Sequence, residues 1–216
     1  DGVTGRLLLG ALFQAANRGV LVRLLIDDNG ILGLDQALAA LDAHPLIEVR
    51  IFNPFVLRRA RILNLSFDFF RLNRRMHNKS YTVDGAISIL GGRNIGDIYF
   101  ETDMRLNYID LDVMVTGIAA TDVSADFARY WACPFAHPLA GIISALPDCA
   151  AQFHRRLQAV RETPLGQRAA KQIAAFDLTS VALTWVHCQI FSDDPAKILD
   201  KDRSRDRLIQ DRKSVV

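Results

Sequence analysis

Apolar residues at positions 7, 8, 11, 12 and 15 lie three and four apart, which predicts an amphipathic helix with Thr4 as its cap and Gly19 as its stop. Val20–Ile26 is then almost continuously apolar, with Arg23 the exception, as expected of a strand buried on both faces. It ends in the polar turn Asp27-Asp28-Asn29-Gly30, at the strand's carboxyl end, where open α/β sheets tend to place ligands. A second helix over about 35–43 and a second strand over about 48–52 follow. Helix, strand, helix, strand at this spacing predicts an α/β lobe: a mixed, largely parallel sheet flanked by helices.

Further along, Ser80–Val83 and Ala86–Leu90 read as short strands joined at Asp84-Gly85, a strong hairpin signal. Gly91-Gly92-Arg93-Asn94 is a glycine-rich break, Ile109–Thr116 another strand, and Thr121–Trp131 a helix with Phe127 and Trp131 four apart. Two more helices are expected over 152–160 and 167–176, split at Thr163-Pro164, with an extended run over 181–191. No repeat and no low-complexity tract appears.

Segment 58–75 has a different character. Arg58, Arg59, Arg61, Arg71, Arg74 and Arg75 face a single acid, Asp68, and are interleaved with leucines and phenylalanines. Two readings stand. One is a solvated basic helix or loop with its apolar side on the core. The other is a wall whose arginines, Arg71, Arg74 and Arg75 foremost, meet anionic head groups while the apolar residues touch acyl chains.

The totals mostly exclude. The chain has 216 residues, half of them hydrophobic, which rules out intrinsic disorder and collagen-like repeats. Three scattered cysteines make neither a disulfide framework nor a zinc site and read as reduced thiols. No apolar run is long enough to span a bilayer, and no signal peptide is visible. A net charge of +2 gives no reason to expect a nucleic-acid partner, although the basic residues are mostly arginine, which grips phosphate bidentately. The last six residues, Asp211 to Val216, resemble a translated sequencing adapter; without their one acid and two bases the charge is +1.

The chemistry is concentrated in HNKSYTVDGAISILGGRN, residues 77–94. His77 and Lys79 are two apart, so on an extended strand both leave the same face. The turn at Asp84-Gly85 then returns Gly91-Gly92 and Asn94 to the start of that strand. A phosphate there would meet an imidazole, an ammonium, a side-chain amide and backbone N–H groups, as phosphodiester substitution requires. Any of these residues alone would be an ordinary surface, core or turn residue; the set at these offsets is specific. By position Asp84 belongs to the hairpin.

The pattern HxKx4D followed by GGxN resembles the signature of the phospholipase D superfamily. The flanks ARILNLSFDFFRLNRRMHNKSYTVDG, GGRNIGDIYF, DLDVMVTG, DFARYWAC and FSDDPAK are similar to the first half of bacterial cardiolipin synthases of the C type, over about residues 1–199. The resemblance implies a double displacement with His77 among the catalytic residues, together with Lys79, Asn94, Asp84 and Asp112. One motif histidine forms a phosphohistidine, and a second, from a partner motif, acts as acid and base. Lys79, Asn94, Gly91 and Gly92 would hold the phosphate. An acid usually fixes the imidazole tautomer; Asp112 is favoured for this, Asp110 could also serve, and both could instead merely solvate a sheet edge. No cofactor or metal is called for. The implied substrates are phospholipids, phosphatidylglycerol and phosphatidylethanolamine among them, reached by peripheral contact with a bacterial inner membrane.

The sequence holds one such motif where the family carries two: no other histidine has the lysine spacing with a downstream GGxN. Two explanations stand, a truncated half or two copies paired about a twofold axis. The absence of an initial Met and the adapter-like tail favour truncation. The expected organisation is a catalytic lobe over 1–135, a helical or extended connection over 136–199 towards a second lobe, and a charged tail over 200–216. A homodimeric phosphodiesterase or nuclease is an alternative, opposed by the apolar interleaving of 58–75. A non-catalytic phosphate- or lipid-binding half is another.

Overall fold

The computed structural model describes residues 2–31, 33–56, 58, 75–99 and 110–198. Helix α1 (Val3–Asn17) ends as expected before Gly19, whose φ of +94° is favourable only without a Cβ. Its start differs from the expectation. Gly2 is the N-cap, and the carboxylate of Asp97 supplies the acceptors, taking the N–H groups of Val3 and Thr4, each at 2.9 Å. A Cβ on Gly2 would overlap that carboxylate, so a larger residue there would have to displace the cap. Thr4 lies inside the first turn, because a cap delivered from a distant loop leaves no local pattern.

Strands β1 (Val22–Asp27) and β2 (Ile47–Phe52) flank helix α2 (Asp35–Asp42) in the expected order and pair in parallel, Val22 opposite Ile47 and Asp27 opposite Phe52. A short strand, β6 (Ala136–Pro138), adds antiparallel to β2. The second sheet is an antiparallel meander of β3 (Ser80–Val83), β4 (Ile87–Gly91) and β5 (Asp112–Thr116). The sheets are thus mixed and carry helices, with the parallel pairing among the described residues at β1–β2. Asp84 and Gly85 both have positive φ, +52° and +64°, and Ala86 N donates to Val83 O at 3.0 Å, as a primed hairpin turn demands.

Alternation along β2 defines the layers. Ile47, Val49 and Ile51 are buried in the main core with Leu38, Leu41, Leu9 and Phe153, the last from helix α4 (Cys149–Glu162). On the opposite face, Arg50 reaches Trp131 O at 2.8 Å and lies 4.5 Å over the Trp131 ring, while Phe52 packs against Tyr130. Both partners belong to helix α3 (Ile118–Ala132), whose first turns bury Ala119, Ala120 and Val123. Helix α3 also contacts β3, β4 and β5, so a single helix seats both sheets.

Helix α5 (Pro164–Ala175) follows α4 across the break foreseen at Thr163-Pro164. Thr163 closes α4 and caps α5, its hydroxyl accepting from Gly166 N at 3.1 Å. The run 181–191 pairs with no described strand, and Leu183, Trp185, Val186 and Phe191 are exposed. Arg71 and Arg74, with most of segment 58–75, lie outside the described residues, as does the tail over 200–216.

Burial alone would raise the pKa of Asp97; the N–H donors of Thr4 and Val3 outweigh it and hold the carboxyl below its usual value. A carboxyl depressed on folding stabilises the protein above its unfolded pKa and loses that contribution as pH falls through its folded one. Asp97→Ala is therefore expected to cost about 0.5–2 kcal/mol near neutrality, as loss of a helix cap does. The difference from the parent should shrink under acid, as read by urea unfolding at a series of pH values. An equal cost at all pH values would show that the carboxylate is not the cap.

Candidate active site

The histidine–lysine motif lies where the two sheets meet. Asp27 ends β1, and its Oδ2 accepts the Met76 N–H at 3.0 Å, one residue before His77. Its Oδ1 accepts from Asn29 N at 2.8 Å and from Arg75 Nη1 at 3.3 Å. Burial raises the Asp27 pKa, against the pull of the Asn29 N–H, Arg75 and the Met76 N–H. The turn singled out from the sequence as a ligand border is thus also the mooring of the motif strand. Next to it, Asp28 is fully buried, accepts from Phe55 N at 2.8 Å and pairs with Arg58 at 2.5 Å; Arg58 also reaches Asp35 at 2.6 Å.

Arg75, expected among the head-group arginines, is turned into the protein. Its side chain is only 10% exposed, its Nη1 also donates to Asn53 O at 3.1 Å, and its guanidinium lies 4.5 Å over the Phe55 ring. It carries the chain into the motif by holding Asp27 and the 53–55 turn together.

His77 is exposed, with Nδ1 3.2 Å from Arg75 O. A carbonyl only accepts, so this contact calls for a proton on Nδ1, which in the neutral ring leaves the lone pair on Nε2. A backbone carbonyl thereby occupies the position for which Asp112 was expected. Asp112 instead pairs with Arg93, Oδ2 to Nε at 3.3 Å, and its Oδ1 accepts the Arg93 N–H at 3.4 Å. Lys79 is part-buried. Burial lowers its pKa below the ordinary lysine value, while Asp110 and Asp27 pull it upward.

Lys79 O accepts from Gly91 N, and Leu111 O from Gly92 N, both at 3.3 Å. These two N–H groups, expected to face a phosphate, are therefore engaged in the sheet. What glycine supplies here is room. A Cβ at Gly91 would overlap Asp112 and Leu111 O, and one at Gly92 would overlap the Asp110 carboxylate. Asp110 is thus held beside Gly92 and close enough to Lys79 to act on its charge.

The structure brings Lys79, Gly91, Gly92, Asp110, Asp112 and Arg93 together at one edge of the meander. Asn94 follows in an exposed loop, its Nδ2 donating to Tyr99 OH at 2.9 Å. Asp84 sits at the hairpin tip, five residues or about 16 Å along the strand from Lys79. Sequence reasoning missed Asp27 as an anchor and Asp126, which binds the side chain between His77 and Lys79 (Asn78 Nδ2 to Asp126 Oδ2, 3.1 Å). The Asp27-Asp28 pair closing an apolar strand was a usable signal for the first; the second had none beyond lying on a helix.

The imidazole of His77, the part-buried ammonium of Lys79 and a sheet edge opened by glycine thus lie along one stretch of the meander. The family description "Cardiolipin synthase, PLD-like domain" matches residues 3–131, more than half of the chain, and the protein belongs to that family. Cardiolipin synthase C of Escherichia coli K12 is 45% identical over 210 residues, 91% of this chain but 43% of that protein. An uncharacterized protein of Helicobacter pylori 26695 is 42% identical over 133 residues, 61% of this chain and 26% of its own length. The major cardiolipin synthase of Bacillus subtilis 168 is 30% identical over 162 residues, 74% and 32% respectively. The chain thus spans less than half the length of these relatives.

Two outcomes are expected. Inorganic phosphate binding, followed by calorimetry, should weaken on the alkaline side, at a pH below that of an ordinary lysine, as Lys79 loses its proton; Lys79→Gln should bind weakly and without that limb. Gly91→Ala should destabilise the protein by about 1–3 kcal/mol in urea, the cost of forcing a methyl into occupied space. Normal stability with intact phosphate affinity would contradict the steric account.

Proposed function

We propose that this chain is a lobe of a phosphatidyltransferase that acts on phospholipid phosphodiesters through a phosphohistidine at His77, in the direction of cardiolipin synthesis. The observation that carries the reading is the sheet face on which Lys79 lies. Cross-strand register places Tyr81, Val83, Ile87 and Ile89 on the same side as Lys79 and Gly91, running away from the motif. Tyr81, Val83 and Ile89 are each close to half exposed, whereas the opposite face, with buried Ser88, lies under α3. A charged site opening onto uncovered hydrocarbon suits a phosphate ester joined to acyl chains better than a wholly polar one.

The chemistry follows from the groups present. Nε2 of His77 attacks phosphorus, the bond from phosphorus to the departing alcohol breaks, and the phosphatidyl group rests on the imidazole. Arg75 O, facing Nδ1–H, stabilises the positive charge that the ring gains. Lys79 neutralises the non-bridging oxygens. An incoming alcohol then attacks phosphorus from the other side, releasing His77 and completing transfer.

A proton must reach the leaving oxygen and later be taken from the acceptor, and the single motif of this sequence assigns no second histidine to that task. That partner group is proposed to come from a second motif, in a longer protein of the length of the relatives or in a second copy, with 136–199 as the connection. Among the described residues no helix is long and apolar enough to cross a membrane, and contact with the lipid surface is proposed to be peripheral.

The 216-residue chain is expected to bind phosphatidylglycerol vesicles but to form no cardiolipin from them by itself. Tyr81→Ser with Ile89→Ser should weaken vesicle binding several-fold, because small polar side chains replace apolar contact, and leave inorganic phosphate affinity unchanged. Mass spectrometry of chain incubated with phospholipid should find any trapped phosphoryl adduct on His77 and none in His77→Ala. Cardiolipin formation by the isolated chain would refute the need for a second motif, and an adduct elsewhere would refute the nucleophile.

A further inference from the structure

Asn78 lies between His77 and Lys79, so in an extended chain its side chain leaves the opposite face, towards α3. There its amide donates to Asp126 Oδ2 at 3.1 Å. Asp126 has further partners: Oδ1 takes Arg129 Nη2 at 2.6 Å and the Ser192 hydroxyl in a very short contact. Arg129 Nη2 reaches Ser192 Oγ at 2.6 Å and Asp193 O at 3.2 Å, and its Nη1 lies 3.8 Å from Asp194. Tyr130, buried beside it, donates its hydroxyl to Asp193 O at 2.9 Å. Its pKa is pushed well above the ordinary value, chiefly by burial and then by Asp126 and Asp193, with Arg129 and the Asn78 amide opposing.

Residues 192–194 therefore form a strap across α3, about sixty positions beyond the end of the family match. The strap follows a run whose side chains are largely exposed, yet Ser192 and Asp193 return to the protein and Pro195 is buried. Its polar groups converge on the carboxylate that holds Asn78. Moving Asn78 would turn the backbone that carries His77 and Lys79 on either side of it.

We propose that Asp126 is a positioning residue for the motif, and that the 192–194 strap locks it: Ser192 and Arg129 fix the carboxylate, the carboxylate fixes Asn78, and Asn78 sets the directions of His77 and Lys79. The consequence for phosphate binding rests on the functional reading above; the consequence for the His77 ring does not.

The test uses the whole chain and two readouts, the NMR titration of the His77 imidazole and calorimetric affinity for inorganic phosphate, with urea unfolding alongside. Asp126→Ala is expected to shift the His77 titration and weaken phosphate binding about tenfold, the effect of losing a charge-assisted hydrogen bond. Asp126→Asn retains an acceptor for Asn78 and should restore most of both. Asn78→Ala should match Asp126→Ala, and the double variant should be no worse than either single one, since both break one linkage. Ser192→Ala, a milder change in a chain that keeps its core, should move both readouts the same way by about threefold in affinity.

A His77 titration unchanged in both Asp126→Ala and Ser192→Ala would overturn the proposal, as would additive effects in the double variant. His77→Ala with Lys79→Gln separates the two ideas. If that variant binds phosphate as the parent does, the functional reading fails while the His77 titration still decides the positioning role.

Discussion

An extended chain shows only every second side chain to a given side, and the motif of this protein is organised by that constraint. His77 and Lys79 can share a face only if Asn78 is committed to the other, and a part-buried amide is better satisfied with a partner. Helix α3 supplies it with Asp126 while packing its alanines under the meander and Tyr130 and Trp131 against the parallel strands. The residues that do chemistry and those that hold them belong to opposite sides of one short stretch.

The other hold on the motif comes from the end of β1. Asp27 ties down the Met76 N–H and the Arg75 guanidinium, and Arg75 in turn bridges to the turn at Asn53. The acid is buried enough that desolvation raises its pKa, so its hydrogen bonds are needed to keep the charged form tolerable. The result is an exposed histidine whose Nδ1 meets a backbone carbonyl. A carbonyl orients the ring as a carboxylate would, without adding a full negative charge beside it.

Much of this could be read from the sequence because it is local. The apolar period around α1, the apolar run of β1, the Asp84-Gly85 turn and the Thr163-Pro164 break each encode their element within a few residues, and the structure places those elements accordingly. Strand β1 is nonetheless half-buried rather than buried on both faces, and Val20 and Leu21 before it are exposed. The motif offsets could be read for the same reason, since strand alternation converts them directly into a shared face. The exceptions are long-range. Asp97 capping α1, Asp126 holding Asn78 and Asp112 turning to Arg93 are pairings between residues distant along the chain, and no periodicity records them. Segment 58–75 illustrates the converse: either reading of it, solvated basic face or head-group wall, turned its arginines outward, but Arg58 and Arg75 at its two ends are committed to the buried Asp28 and the part-buried Asp27.

The Asp97 cap also bears on the order of events in folding. The carboxylate lies 94 positions after the amide it caps, so α1 emerges during synthesis with its first N–H groups unsatisfied. Isolated helices of this length are marginal in water, and closing a loop of nearly a hundred residues is entropically slow. The amino end of α1 can therefore be capped only after residue 97 has been made and brought to it, whatever the apolar face of the helix does earlier.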